Sequence, residues 1–431
     1  MSLIEILILV LSFVVLLGIG LPIAYCIGLS SLLTLVVSMP SLTAFTTLAQ
    51  RMATGLDSFA LLAIPFFVLS GQLMNSGGIA RRLVDFAKVL VGGLPGGLAF
   101  VNIVANMLFG AISGSAAASA SAIGGFMGPR MEKEGYEKSF GAAVNIASAT
   151  TGLVIPPSNI LIVFSLASGG VSIAALFIAG YVPGILMGLA LMLVSMTIAI
   201  KRGYKRGKWE SLSETFRKFW SALPSLLLLV IVIGGIVAGI FTATEASAIA
   251  VLYTLVLAFI YKEISVKDLP KIILSTVLTT SIVLLLIGTS MGMSWVMSYE
   301  NIPQEVSQGL ITLSDNPIII LLIINLILLF VGIFMDMTPA VLIFTPIFLP
   351  VVERLGMDPV HFGIVMVMNL CIGLCTPPVG SVLFIGCGVA GISIQRVLKP
   401  LIPMFLALIV VLLLVTYIPA LTLWLPSLLG F

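Results

Sequence analysis

The stretch Gly152-Leu-Val-Ile-Pro-Pro-Ser-Asn159 breaks an apolar segment of membrane grade, and Gly373-Leu-Cys-Thr-Pro-Pro-Val-Gly380 breaks another 221 residues later. Two adjacent prolines remove two backbone donors and stop a helix. Within lipid the freed carbonyls must be satisfied by protein or by a water-lined cavity, because hydrocarbon offers no partner. Duplicated breaks of this kind mark a solute and ion site near the membrane midplane.

The surrounding composition agrees. Hydrophobic residues make up 60% of the 431 positions and charged residues 9%, with a mean hydropathy of +1.26. Apolar runs of spanning length, about 20 residues, recur along the whole chain, so the expected class is an all-α polytopic membrane protein. The first run, 3–38, lacks a basic start and a cleavage site and reads as a retained helix. Cys26, Cys371, Cys375 and Cys387 lie in apolar sequence and read as small core residues. His361 is the single histidine, which leaves little material for a catalytic triad or a His-based metal site. No Gly-Lys-Ser/Thr phosphate loop is present and no dinucleotide-binding fold is plausible, so the chain reads as a non-enzyme.

A basic stretch, Lys201 to Lys218, divides the chain. Short basic loops stay cytoplasmic, and Trp209, Leu212, Phe216 and Phe219 give its second part the pattern of an amphipathic surface helix. Across this 201–221 linker the halves match without gaps at the 221-residue offset: Pro129, Glu132 and Gly135 face Pro350, Glu353 and Gly356, and Ser172-Ile173 face Ser393-Ile394. Proline, glutamate and glycine kept in register indicate a structural repeat. The first repeat is 1–200, with a hairpin near 104–130 and a broken helix near 140–167; the second is 222–431, with a hairpin near 322–352 and a broken helix near 360–392. The residues leave open whether the repeats are parallel or inverted.

Each hairpin tip carries candidate chemistry. In the first half it is the small-residue run from Gly110 to Gly125, with Ser113, Ser115 and Ser119; in the second it is Gly332 to Pro339, with Asp336 and Thr338. Close helix packing explains such a run of small residues by itself; its pairing with a proline break points to a site. Serine and threonine hydroxyls, exposed carbonyls and one carboxylate are hard oxygen donors suited to Na⁺, while helix N-termini favour an anionic group. A carboxylate such as Asp336 inside an apolar run is costly and usually faces a cavity. Ser158 and Asn159 flank the first break, Thr376 and Gly380 the second. Ser115 falls opposite Asp336 and Asn159 opposite Gly380, so the two copies are chemically unequal. Thr242 and Glu245 have capping-box spacing, which competes with a functional reading of Glu245.

Several long motifs resemble the large membrane subunit of tripartite ATP-independent periplasmic (TRAP) transporters over nearly the whole length. They include Asp57 to Phe67, Ser70 to Gly78, Ser113-Gly-Ser115, the Pro156-Pro157 segment, Gly239 to Ala246, Met335 to Pro339 and Thr376 to Gly380. The resemblance implies two inverted repeats, each with a re-entrant hairpin and a broken helix, and an elevator-type transport domain moving against a scaffold. It implies a Na⁺-coupled importer in the bacterial inner membrane, working with a small four-helix membrane subunit and a periplasmic substrate-binding protein. Carried over residue by residue, Na⁺ coordination falls to Ser113, Ser115, Gly152 and Pro156 in one half, and to Asp336, Thr338, Gly373 and Thr376 in the other. Substrate contact is expected at Ser119, Ser158, Asn159 and Gly380. The implied substrates are organic anions, C4-dicarboxylates or sugar acids. Many members have an acidic residue where this chain has Ser119, which directs the expectation toward a bulkier acid such as sialic acid. The rival readings are a binding-protein-independent anion carrier of the same architecture and a scaffold protein without a transport cycle.

Overall fold

A computed structural model describes residues 3–76, 78–204, 207, 211–314 and 316–431, and every regular element among them is helical. The helices are α1 (Leu3–Gly18), α2 (Ile23–Ser38), α3 (Ser41–Leu56), α4 (Ala63–Ser76), α5 (Ile79–Val91), α6 (Gly97–Ser113) and α7 (Ala116–Lys133). There follow α8 (Lys138–Ala149), α9 (Asn159–Ala167), α10 (Ile173–Lys201), α11 (Leu212–Val237), α12 (Ala243–Ile260), α13 (Leu269–Tyr299) and α14 (Ile302–Leu313). The chain closes with α15 (Pro317–Phe334), α16 (Met337–Arg354), α17 (Pro359–Leu374), α18 (Ser381–Ala390), α19 (Ile394–Tyr417) and α20 (Ala420–Leu428). Among the described residues, eight candidate spans are long and apolar enough to cross a membrane, and this is a multi-pass inner-membrane protein.

Two expectations are corrected. The apolar run 3–38 is two helices rather than one, because Gly20 turns with φ +90° and Pro22 caps α2. The second part of the basic linker is no separate surface helix: Phe216 and Phe219 lie in the first turns of α11, which continues to Val237 without interruption. Trp209 and the side chain of Leu212 lie outside the described residues.

The elements of the two halves recur at the 221-residue offset. Helices α6 and α7 form a hairpin with its turn at Gly114 and Ser115; α15 and α16 turn at Met335 and Asp336. Helix α8 stops at Ala149 and resumes as α9 beyond Pro157; α17 stops at Leu374 and resumes as α18 beyond Pro378. Packing between the halves is reciprocal. Helix α7 packs on α18 and α16 on α9; likewise α8 packs on α19 and α17 on α10. Helix α8 is buried from Ser139 and α17 from His361 to their ends, so the two broken helices are the core.

Backbones meet where the breaks cross the hairpins. A Cβ on Gly152 would stand 2.5 Å from the Gly110 Cα, and one on Gly373 would stand 2.5 Å from the Gly332 Cα. Such separations are closed to any larger residue, which is why small residues sit at these crossings. Helices α1 to α5 and α11 to α14 flank this core, with α4 packed on α12 and α13 on α2, α3, α4 and α16.

Candidate functional site: a cavity at four helix starts

Both hairpin tips and both helix breaks open onto one central cavity of about 320 Å³. This lies at the low end of the roughly 300–1,000 Å³ typical of small-molecule sites. Four helices begin at its wall. Ser115 to Ala118 bring the start of α7, Asn159 and Ile160 that of α9, Asp336 to Thr338 that of α16, and Ser381 and Val382 that of α18. The first N–H groups of a helix have no partner within it and carry about half a positive charge. Four such ends therefore face one small volume.

Local sequence explains how each end is held. At the first tip Gly114 adopts φ +63° to close α6, and the Ser115 hydroxyl accepts from the Ala118 N–H at 3.2 Å to cap α7. At the second tip Asp336 takes the corresponding N-cap position in extended backbone, and its side chain makes no such capping bond. Asp336 is exposed and lines the cavity, the one charged residue among the described residues that do so. Ser113 also lines the cavity, and its buried Oγ has no hydrogen-bond partner among the described residues. An orphaned buried hydroxyl costs about 1–3 kcal/mol unless a ligand, ion or water uses it.

The residues expected at the site are only partly brought together. Ser113, Ser115, Asn159, Asp336 and Thr338 line the cavity. Gly152 and Gly373 lie behind the tips, against Gly110 and Gly332. Pro156 precedes a cis peptide bond in a fully buried first break, whereas Pro378 and Val379 of the second are exposed. The Thr376 hydroxyl donates to the Ile372 carbonyl at 2.7 Å, and the Gly380 N–H to the Ile333 carbonyl at 3.2 Å. Ser158 is buried off the cavity wall, and its Oγ has no partner among the described residues.

Ser119 does not line the cavity. Its hydroxyl donates to Asn106 Oδ1 at 2.7 Å, inside a network joining α6, α7 and α8. Asn106 Nδ2 in turn reaches Asn102 Oδ1 (2.6 Å), Ser148 Oγ (2.9 Å) and Asn145 Oδ1 (3.1 Å). The small side chain at 119 therefore carries no information about substrate size. Glu245 is also accounted for structurally: its carboxylate accepts from the Thr242 N–H at 2.8 Å in a complete capping box. His361 is a satisfied core histidine, with Nδ1 2.7 Å from Thr422 Oγ1.

Three polar wall residues escaped the sequence reading. Gln72 and Asn75 come from α4, and Thr279 from α13. The available signal was a pair of amides three residues apart at one end of an otherwise apolar helix. Among the described residues no group of three or more His, Cys, Asp or Glu could hold a metal ion.

Comparison with known proteins agrees with this picture. Residues 10–421 match the family model of the tripartite ATP-independent periplasmic transporter, DctM component. A Salmonella typhimurium protein designated YgiK is 59% identical over 97% of this chain and 96% of its own. The C4-dicarboxylate TRAP transporter large permease protein DctM of Pseudomonas aeruginosa is 41% identical, covering 94% of each chain. The sialic acid TRAP transporter large permease protein SiaM of Vibrio cholerae is 39% identical over 95% of each. Among solved structures, the Alcanivorax borkumensis YdaH transporter matches with a TM-score of 0.66 at 14% identity, over 89% of this chain and 88% of that one, a likeness of fold alone.

Proposed function

Because the chain belongs to the tripartite ATP-independent periplasmic transporter family as its large permease component, we propose that it is a Na⁺-coupled symporter subunit importing an organic acid by an elevator-type cycle. The observation that carries this reading is the convergence of four helix starts and one carboxylate on a single cavity. The helix starts favour a substrate carboxylate, each by roughly 0.3–1 kcal/mol. Asp336 opposes that same substrate unless a cation neutralises it. Binding of Na⁺ beside Asp336 removes the repulsion, so ion and anion stabilise each other in the cavity. This is coupling by mutual affinity, and it is reciprocal.

On this reading Asp336 and Thr338 serve the cation in the second half, with carbonyls near Gly373 and Thr376. The orphaned hydroxyls of Ser113 and Ser158, with carbonyls near Gly152 and Pro156, suit a cation in the first. Asn159, Gln72 and Asn75 offer amides to hydroxyls of the substrate. That donor set favours a hydroxylated sugar acid over a bare four-carbon dicarboxylate. Near-equal identity to relatives named for C4-dicarboxylate and for sialic acid gives neither substrate an advantage. The partners are a small membrane subunit and a periplasmic binding protein.

The reading is tested by uptake into proteoliposomes holding the permease, its small subunit and its binding protein. With a panel of radiolabelled sugar acids and C4-dicarboxylates, an inward Na⁺ gradient is expected to drive accumulation of at least one. Equal uptake with and without the gradient contradicts the coupling.

A further inference from the structure

A second recess of about 330 Å³ adjoins the central cavity, and Gln72 of α4 lines both. Along α13, Lys271 and Ser275 line this recess and Thr279 lines the central cavity. A four-residue spacing places all three on one helix face. The two spaces are therefore successive parts of one polar seam between α4 and α13, two helices in direct contact.

The outer end of the seam carries Glu263, Asp268 and Lys271, with Arg82 set against Glu263. The Arg82 guanidinium sits 3.6 Å from the Tyr261 ring centre and 3.9 Å from Glu263, and Arg130 lies 3.9 Å from Asp85 of the neighbouring α5. Phe86 of that helix meets Phe219, at the start of α11 beside the basic linker, with ring centres 6.0 Å apart. Clustered short basic loops mark the cytoplasmic side. Two carboxylates also border the recess, and both are engaged. Glu263 faces Arg82, and Asp268 accepts from the Ser265 N–H and hydroxyl at 2.8 and 2.7 Å. Those hydrogen bonds, together with the nearby Lys271 ammonium, hold the Asp268 carboxyl below its ordinary pKa.

We propose that the α4–α13 seam is the aqueous route from the central cavity to the cytoplasm, and that Lys271 at its mouth selects for anions passing through it. An ammonium beside low-dielectric walls raises the local concentration of anions. This inference rests on the proposed transport of an organic acid, but its test reads neither uptake nor Na⁺.

The experiment uses the assembled complex in vesicles of known orientation, with Ser275→Cys in a chain whose four native cysteines are buried. Two membrane-impermeant methanethiosulfonate reagents serve as probes, the anionic sulfonatoethyl and the cationic trimethylammonioethyl form. The introduced thiol is expected to react when reagent is added at the cytoplasmic face. Val277→Cys, on the opposite face of the same helix where Val277 is 51% exposed, is expected to stay unmodified. Adding Lys271→Gln to the Ser275→Cys chain is expected to lower the anionic-to-cationic rate ratio about threefold, roughly the effect of one unit charge acting across several ångströms of water. A thiol in the Ser275→Cys chain that is unreactive from the cytoplasmic face, or reactive only from the other, overturns the route. An unchanged ratio in the Lys271→Gln chain overturns the role of Lys271. Retained elution of the assembled complex shows that the variants fold.

Discussion

Gly110 and Gly152 meet backbone to backbone, as do Gly332 and Gly373, and these crossings hold the tips against the breaks. The account at this scale is steric and has a sharp consequence. Gly152→Ala places a methyl group 2.5 Å from the Gly110 Cα, inside the limit of ordinary contact. Overpacking of this kind costs about 1–3 kcal/mol. Gly128→Ala, in α7 with nothing within 4 Å of the added Cβ, instead gains about 0.5–1 kcal/mol of helix propensity. Thermal unfolding of the purified complex is expected to move down for the first variant and up for the second. A shared direction would show that the close approach is not what matters at position 152.

The elements owe their positions to buried polar groups as much as to apolar faces. Asn106 ties α6 to α8 through Asn145 and Ser148, and to α7 through Ser119. Asn106→Leu leaves the buried Asn102 and Asn145 amide oxygens without their donor and the Ser119 hydroxyl without its acceptor, at a cost of about 3 kcal/mol. Its unfolding temperature is expected to fall well below that of Ser119→Ala, which loses one bond of the set. Equal loss in both variants would remove Asn106 as the hub. The broken helices and hairpin tips were legible in sequence because proline pairs and small-residue runs act locally on the backbone. Asp336 was legible because a carboxylate in an apolar run demands a cavity. Ser119 was misplaced because a hairpin's serines look alike until packing shows which face turns inward. Gln72, Asn75 and Thr279 were missed because α4 and α13 reach the tips only through long-range packing, which leaves no periodic trace.

At the scale of the molecule, the reciprocal packing of α7 on α18 and α16 on α9 builds one cavity from both halves. Each half contributes two helix starts, and among the described lining residues only the second half contributes a charge. That asymmetry is the core of the proposed coupling: four positive helix ends attract an anion, and Asp336 admits it only alongside a cation. The most direct test is equilibrium binding of radiolabelled Na⁺ to the detergent-solubilised complex, comparing the natural chain with Asp336→Asn, a substitution that keeps shape and removes charge. Loss of a charge-assisted contact worth about 2 kcal/mol weakens binding about thirtyfold. The account predicts saturable Na⁺ binding to the natural chain, weakened to that degree in Asp336→Asn; identical binding curves for the two would contradict it.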